Sequence, residues 1–223
     1  GVLKSPELLS RSAADRAQID NAFHDEVARD YVTFLAQAPV TKEKVDSLME
    51  LSPANSKIPN GQALAYELER LGKKDEALLT WGVVGGFIAN PSDRMASQIA
   101  MAQLHLDKND KSAALKSYEQ AMSSWKDTGF KNTPQETELK RRARHFVVAW
   151  NQTEKKIPSP ELLAAYDQYL AVFPADSDVQ IYAGQVAMSQ KNYVAAMAHY
   201  TAARDLLLKE KDDAKLEDVV LTQ

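Results

Sequence analysis

The side chains in this sequence that are best suited to metal binding or proton transfer are histidines. They stand at His24, His105, His145 and His199. A helical metal site needs two such ligands three or four residues apart, and no two of these histidines have that spacing. The run His24-Asp25-Glu26 is a candidate acid–base or ligand cluster, but consecutive polar residues of this kind are more typical of a solvated helix face. We therefore expect no metal site.

Nucleophilic and cofactor chemistry is also poorly represented. The sequence contains no cysteine, which excludes disulfides, thiol catalysis and cysteine-ligated zinc or iron–sulfur sites. It also lacks a nucleophile-elbow motif (G-x-S-x-G), a phosphate-binding loop motif and a paired-carboxylate signature. We therefore expect a protein that is not an enzyme, with no catalytic residues and no cofactor.

Three glycines, Gly82, Gly85 and Gly86, lie in the apolar segment WGVVGGFIANP at residues 81–91. A phosphate-binding loop needs a strand before its glycines and a Lys-Ser/Thr or GxGxxG spacing, and this segment has neither. A membrane-spanning helix needs roughly 20 apolar residues, and the apolar stretch at 77–89 is too short. We interpret the glycines as sites of close packing between helices, and we expect no membrane span.

The charge balance argues against one class of partner. Lys and Arg number 27 and Asp and Glu number 31, which gives a net charge of −4. Nucleic-acid-binding domains usually carry a basic excess, so we expect no nucleic acid as a partner. The densest basic cluster is KRRARH at residues 140–145, which suits a phosphate or an anionic lipid. In an acidic protein, such a run is more often a solvated face.

Apolar periodicity predicts helices throughout the chain. Apolar residues recur at helical spacing from Ile19 to Tyr31 and predict a helix that ends before Pro39, with a shorter helix at 41–51. Helix start signals, with Ser or Thr as the cap and Pro at the first helical position, occur at 5–7, 133–136 and 159–161. The signal at 133–136 is also a capping box. No alternating pattern long enough for a strand is present, so the expected fold class is all-α.

A pattern of small and aromatic residues repeats along the chain. In three segments a small residue lies twelve positions before an alanine, and an aromatic residue follows that alanine by four. The triplets are Ala65, Ala77 and Trp81; Ala102, Ala114 and Tyr118; and Gly184, Ala196 and Tyr200. A degenerate copy contains Ala149 and Tyr166, and Tyr166 precedes Tyr200 by 34 residues. Small residues permit two antiparallel helices to approach closely, and we expect the closest approach of the last pair at Gly184 and Ala196.

These residues resemble the tetratricopeptide repeat (TPR), a 34-residue helix–turn–helix unit, in divergent form. The resemblance covers residues 56–208 and departs from the family pattern in lacking the Trp of the first helix. It implies an all-α solenoid of three to four helical hairpins in a right-handed superhelix. Residues 1–55 are then N-terminal helices or a degenerate repeat, and residues 209–223 are a capping helix or a linker to a missing region. The chain begins with Gly1 rather than Met, so we expect a longer full-length product.

In the TPR family, the first helices of the repeats line a concave groove that binds a peptide. Transferred by position, the resemblance implies a groove lined by Gln62, Tyr66, Arg70, Ile99, Gln103, Phe146, Trp150, Ile181, Gln185 and Met188. Trp150 is the expected dominant anchor, because large aromatic side chains in desolvated pockets carry much of the binding energy. The alternatives are that half of these residues only pack against other helices, or that the N-terminal helix fills the groove and covers them. Glutamines at 62, 103 and 185 replace the basic clamp for a terminal carboxylate, which disfavours a chaperone-tail adaptor.

The sequence therefore favours a non-enzymatic scaffold or adaptor that binds another protein or a peptide through its groove. The segment YDQYLAVFPADSDVQ at residues 166–180 is similar to repeats of bacterial envelope-assembly proteins. That similarity and the lack of cysteine favour an exported, periplasmic setting over a cytoplasmic one. One alternative is a regulatory or targeting repeat domain of a longer enzyme. A third hypothesis is self-assembly through exposed end repeats.

Overall fold

The fold is all-α, as the sequence predicts. A computed structural model describes residues 13–128, 132–154, 156–210 and 219, and within these residues it contains ten helices and no strand. The helices are α1 (Ala13–Gln37), α2 (Lys42–Leu51), α3 (Lys57–Arg70), α4 (Lys74–Gly85), α5 (Pro91–Asp107), α6 (Lys111–Lys126), α7 (Pro134–Thr153), α8 (Pro160–Val172), α9 (Ser177–Ser189) and α10 (Tyr193–Glu210). None of the helices in these ranges combines the length and the apolar character needed to cross a membrane. The handedness of the superhelix stays a prediction.

Helix packing divides the chain into two compact units, Gly1–Ala89 and Asn90–Gln223. Unit 1 contains α1–α4 and unit 2 contains α5–α10. The two units divide after α4, because α1 and α2 both pack against α3. The boundary predicted from the sequence lies earlier, at residue 55. An amphipathic sequence shows that a helix has a buried face, but it does not show which helix covers that face. Most of the expected C-terminal segment, 209–223, lies outside the described residues.

Unit 1 consists of two helix pairs, α1–α2 and α3–α4. The first helices α1 and α3 pack together, and the second helices α2 and α4 do the same. The largest buried side chains of the unit include Leu35, Leu48, Leu64 and Trp81. Lys73, in the turn between α3 and α4, donates from Nζ to two carbonyl oxygens at the end of α1, at 2.9 and 3.1 Å. These contacts join the N-terminal helices to the first clear repeat in one core.

The glycines of α4 do not mark a close helix contact, and our interpretation of Gly82 and Gly85 is wrong. A Cβ atom built on either residue meets no heavy atom within 4 Å. Gly82 lies on the exposed side of α4, and Gly86 is the C-cap of that helix. The close approach in this pair is at Gly61 on α3, where a Cβ would lie 2.5 Å from Cγ2 of Val84.

Unit 2 consists of three helix pairs, α5–α6, α7–α8 and α9–α10, around one apolar core. The first helix α5 packs on α7, the second helix α6 packs on α8, and α8 packs on α9. The core is rich in aromatic side chains, which include Tyr118, Phe146, Trp150, Tyr166 and Tyr169. The predicted close approach at Gly184 is confirmed, since a Cβ there would lie 2.8 Å from Cε1 of Tyr200. Ala196 on α10 is buried in the same core.

Three of the helix pairs share one turn geometry. Each first helix is followed by a residue with positive φ, at Gly72 (75°), Asn109 (61°) and Lys191 (61°). The amide of the next residue then donates to the carbonyl five positions earlier, at 2.9 Å in all three turns. This bond satisfies a carbonyl at the end of the first helix while the chain reverses. The α7–α8 pair is connected differently, because there Glu154 accepts a 2.7 Å hydrogen bond from the amide of Ser159.

The helix start signals have mixed outcomes. The capping box is confirmed, because the Glu136 amide donates to Thr133 Oγ1 at 3.2 Å and the Thr133 amide donates to Glu136 Oε2 at 2.9 Å. Pro160 is the first residue of α8 as predicted, but the predicted cap by the Ser159 hydroxyl is wrong. The hydroxyl makes no capping hydrogen bond, since Glu154 holds the Ser159 amide and sets the path of the chain. The signal at 5–7 lies outside the described residues.

Candidate functional site

Two depressions lie on either side of the last turns of α7, both within unit 2. The first, the α5–α7 depression, has a volume of about 390 Å³. Its lining residues are Gln103, Leu106, Asp107, Asn109, Lys111, Ala149, Thr153 and Glu154. Gln103 Nε2 donates to Asp107 Oδ1 at 2.8 Å, and Lys111 Nζ lies 2.7 Å from Glu154 Oε1. The one cation in this lining is thus paired with a carboxylate of the same lining.

The second, the α7–α9 depression, has a volume of about 300 Å³. Its lining residues are Asn151, Gln152, Pro158, Tyr182, Gln185, Val186 and Ser189, none of them charged. α7 and α9 form its two sides, and the connection between α7 and α8 supplies Pro158. Gln190 fixes this connection, because its Nε2 donates to the carbonyl oxygens of Ser159 at 2.7 Å and Pro158 at 3.3 Å. The depression is therefore an uncharged surface held by side-chain hydrogen bonds.

Glu154 anchors the C-terminal end of α7 beside both depressions. Its carboxylate accepts hydrogen bonds from Trp150 Nε1 at 2.8 Å and from the Ser159 amide at 2.7 Å, in addition to the ion pair with Lys111. Burial alone raises the pKa of a carboxyl, but these donors outweigh it and hold the pKa of Glu154 below its usual value. Glu154 is therefore ionised near neutral pH, and Lys111 balances its charge.

Amide side chains are the common feature of the two depressions. They are Gln103, Asn109, Asn151, Gln152 and Gln185. Each amide offers both a donor and an acceptor, which is the complement of a peptide group. Apolar atoms of Leu106, Tyr182 and Val186 lie among them. Amides that orient a backbone beside apolar contacts are the features used by surfaces that bind extended peptides.

Three of the predicted groove residues are core residues, so their assignment to a binding surface is wrong. Trp150 is fully buried, and Phe146 and Ile99 are buried as well. The Phe146 ring stacks on Tyr118 with centroids 4.8 Å apart and meets the edge of Trp150 at 5.7 Å. These rings fill the space between α6, α7 and their neighbours, where no partner reaches them. Trp150 is therefore not a binding anchor.

The other predicted groove residues are accessible, and two of them line the two depressions described above. Gln103 and Gln185 lie in the two depressions of unit 2, while Met188 is exposed and Ile181 half-buried on α9. In unit 1, Gln62 is half-buried, and Tyr66 and Arg70 are exposed on α3. The Tyr66 ring packs edge-on against Trp81 at 5.1 Å, and Arg70 pairs with Glu67 at 2.6 Å.

The sequence analysis missed Asn109, Asn151, Gln152 and Ser189. Asn109 has a sequence signal, because Asn is second only to Gly in how readily it adopts a positive φ. It therefore marks the turn that ends a helix. Gln152 lies three residues after Ala149 of the degenerate repeat copy, in the last turn of α7. The other two could not be found, because they line the α7–α9 depression only once α7 and α9 lie together.

The titratable clusters of the sequence are engaged in structural contacts. Within the basic cluster, Arg144 bonds Asp176 at 2.9 Å and Asp178 at 3.1 Å, and Arg141 pairs with Glu138 at 2.7 Å. Desolvation opposes ionisation of Arg144, but its two aspartates prevail and raise its pKa. Among the described residues, no group of three His, Asp or Glu side chains is placed to hold a metal ion.

Comparison with solved structures shows a distant likeness. No protein-family model matches the chain, and comparison with curated proteins gives no match. Among solved structures, the chain is similar to the crystal structure of BtubC (BKLC) from P. vanneervenii, with 13% sequence identity and a TM-score of 0.44. That similarity covers 90% of this chain and 93% of the other. A likeness at this level carries no argument about function.

Proposed function

We propose that this protein is a non-enzymatic, TPR-like scaffold that binds an extended segment of another protein along the two depressions of unit 2. The observation that carries the proposal is the row of five amide side chains that three helix pairs contribute on both sides of α7. These amides pair with a peptide backbone without selecting for charge, and the apolar atoms between them contribute affinity. The exported, periplasmic setting is part of the same proposal and rests on the sequence similarity of residues 166–180.

The ion pair between Lys111 and Glu154 favours a partner segment that binds without a carboxylate of its own. Lys111 is the one basic side chain in the lining of the two depressions, and Glu154 already neutralises it at 2.7 Å. An acidic peptide would have to break that pair and leave the largely buried Glu154 without its cation, which is costly. The expected ligand is therefore a neutral or weakly basic extended segment.

Selection from a phage-displayed library of random peptides tests the proposal. Peptides enriched on the wild-type protein should bind the double variant Gln103→Arg/Gln185→Arg at least about tenfold more weakly, which corresponds to about 1.4 kcal/mol. The two long cations fill the depressions and disrupt the amide surface. Gln120→Arg is the matched control, because Gln120 is exposed on α6 and lines neither depression.

The outcome is read by titrating labelled peptides against each variant. Equal binding by the wild type and the double variant would refute the placement of the site. Enrichment of strongly acidic peptides would refute its predicted chemistry. If no peptide family is enriched on a folded protein, the proposal of an extended-segment ligand is wrong.

A further inference from the structure

One face of α10 leaves an apolar surface exposed in unit 2. α10 packs mainly on α9, and on its outer side Val194 is 84% exposed, Met197 52% and Leu208 56%. Together with Thr201 and Arg204, these residues form the α10 stripe. Single exposed apolar side chains are ordinary, but three on one helix face mark an interaction surface.

The α10 stripe faces away from the preceding helix pair. On the other flank of α10, His199 Nε2 lies 3.2 Å from Asp167 Oδ1 of α8, and His199 Nδ1 lies 2.8 Å from Gln180 Oε1 of α9. Met197 is two residues from His199 and so points roughly 200° away around the helix axis. The stripe therefore lies on the side where a further helix pair of the repeat would stack.

The equivalent face of α8 is covered. Leu163 and Leu170 precede Met197 and Arg204 by 34 residues, the offset of the repeat. Both leucines are buried, and α8 has helices packed on two sides, α6 and α9. The architecture therefore closes this face of a second helix with another amphipathic helix.

The spacing of the stripe points to the identity of that helix. Positions 194, 197, 201, 204 and 208 alternate at three and four residues, which is the spacing of the seam between two helices packed side by side. We propose that the α10 stripe is a self-association surface, on which α10 of a second copy of this chain packs in antiparallel orientation. A two-fold axis lets one stripe supply both sides of the contact.

The charges of α10 select the antiparallel orientation. Arg204 Nη2 lies 2.9 Å from Oδ1 of its neighbour Asp205. In a parallel pair, Arg204 would meet Arg204 of the second copy, and the aspartates would also meet. In the antiparallel register, Met197 faces Leu208 of the second copy and Arg204 faces Thr201, with Asp205 of the second copy about one turn away. This arrangement places opposite charges near each other across the contact.

The contact between two α10 helices buries a small area compared with the roughly 800 Å² per partner of a standard interface. The dimer should therefore be weak and concentration-dependent. Sedimentation velocity from about 1 μM to about 1 mM should show monomer converting to dimer without larger species. Met197→Glu should raise the dimer dissociation constant at least about tenfold. The matched control is Ile157→Glu, because Ile157 is 83% exposed in the α7–α8 connection and lies outside the stripe.

Disulfide trapping tests the orientation, and the chain suits it because it contains no cysteine. The double variant Met197→Cys/Leu208→Cys should form a covalent dimer on mild oxidation. Within one chain these residues lie about 16 Å apart along the helix, too far for a disulfide. Each single variant should stay uncrosslinked, because an antiparallel contact keeps a residue away from its own copy.

A monomer across the whole concentration range would overturn the proposal, as would a dimer that Met197→Glu leaves unchanged. Crosslinking of the single-cysteine variants would overturn the antiparallel orientation. Growth into larger species would show head-to-tail stacking instead of a two-fold contact. Circular dichroism of Met197→Glu confirms that the fold is retained, since Met197 is half-exposed and outside the core.

Discussion

Replacing Gly184 with alanine tests the close contact between α9 and α10. A Cβ at this position would lie 2.8, 2.9 and 3.0 Å from three ring atoms of Tyr200. Carbon atoms in van der Waals contact are about 3.5–4.0 Å apart, so the ring would have to move by several tenths of an ångström. Tyr200 is buried between α9 and α10, which leaves little room for that movement.

Two opposing terms set the size of the effect. Overpacking a core costs about 1–3 kcal/mol, and alanine in a helix interior is favoured over glycine by about 1 kcal/mol. Gly184→Ala should therefore lower the free energy of unfolding by about 1 kcal/mol, and Gly184→Leu should lower it by more. Gly82→Ala is the matched control, because a Cβ there meets nothing within 4 Å. It should raise stability by about 1 kcal/mol.

Urea unfolding followed by far-ultraviolet circular dichroism measures both changes, as shifts of the midpoint at constant slope. The two glycines lie in different units, so each substitution reports on the unit that contains it. In a Tyr200→Leu background, Gly184→Ala should become neutral or stabilising, because the ring that it strikes is gone. If Gly184→Ala stabilises the wild-type protein as Gly82→Ala does, the contact is not tight and the reasoning fails.

Four further substitutions have definite expected outcomes. Trp150→Ala should lower the free energy of unfolding by about 3–5 kcal/mol, because the side chain is fully buried, and a loss below about 1 kcal/mol in urea titrations would contradict its place in the core. Glu154→Gln should lower stability at neutral pH. A carboxyl whose folded-state pKa is depressed contributes stability above its usual value of 4.5 and loses it as the pH falls through the folded-state pKa, so the urea midpoints of variant and wild type should converge as the pH falls well below 4.5. Thr133→Ala should cost about 1 kcal/mol by removing the helix cap, whereas Ser159→Ala should change stability by less than about 0.5 kcal/mol, because its hydroxyl caps nothing. Equal losses in the two variants would refute the assignment of the caps.

Local interactions made the helices and one helix start predictable. The capping box at Thr133 and Glu136 depends only on residues within one turn, so the sequence contains all of its parts. Gly184 could be placed because the repeat keeps a fixed distance between the two positions of a hairpin that meet. In both cases the relevant partners lie within about half a repeat of each other.

Trp150 and Gly82 show where predictions from local patterns fail. The degenerate repeat copy placed Trp150 on the groove side, although Leu139, Ala143, Phe146 and Trp150 recur at helical spacing and form one buried stripe of α7. That stripe indicates a buried position for Trp150 and conflicts with the groove position that the family pattern implies. The apolar neighbours of Gly82 predict a packed position, but burial depends on the direction in which a residue points around the helix, and Gly82 points outward. The depressions depend on three helices meeting and have no local signature.

The turn that three helix pairs share has a consequence for how chains of this kind can change in length. Gly72, Asn109 and Lys191 differ in chemistry, yet each occupies the same backbone conformation with the same 2.9 Å hydrogen bond behind it. A genetic crossover between the turns at 109 and 191 would join α5 to α10 through a turn of the same geometry. It would delete four helices, α6 to α9, which is the length of two helix pairs. Recombination at these turns can therefore add or delete whole pairs without a new connection having to evolve.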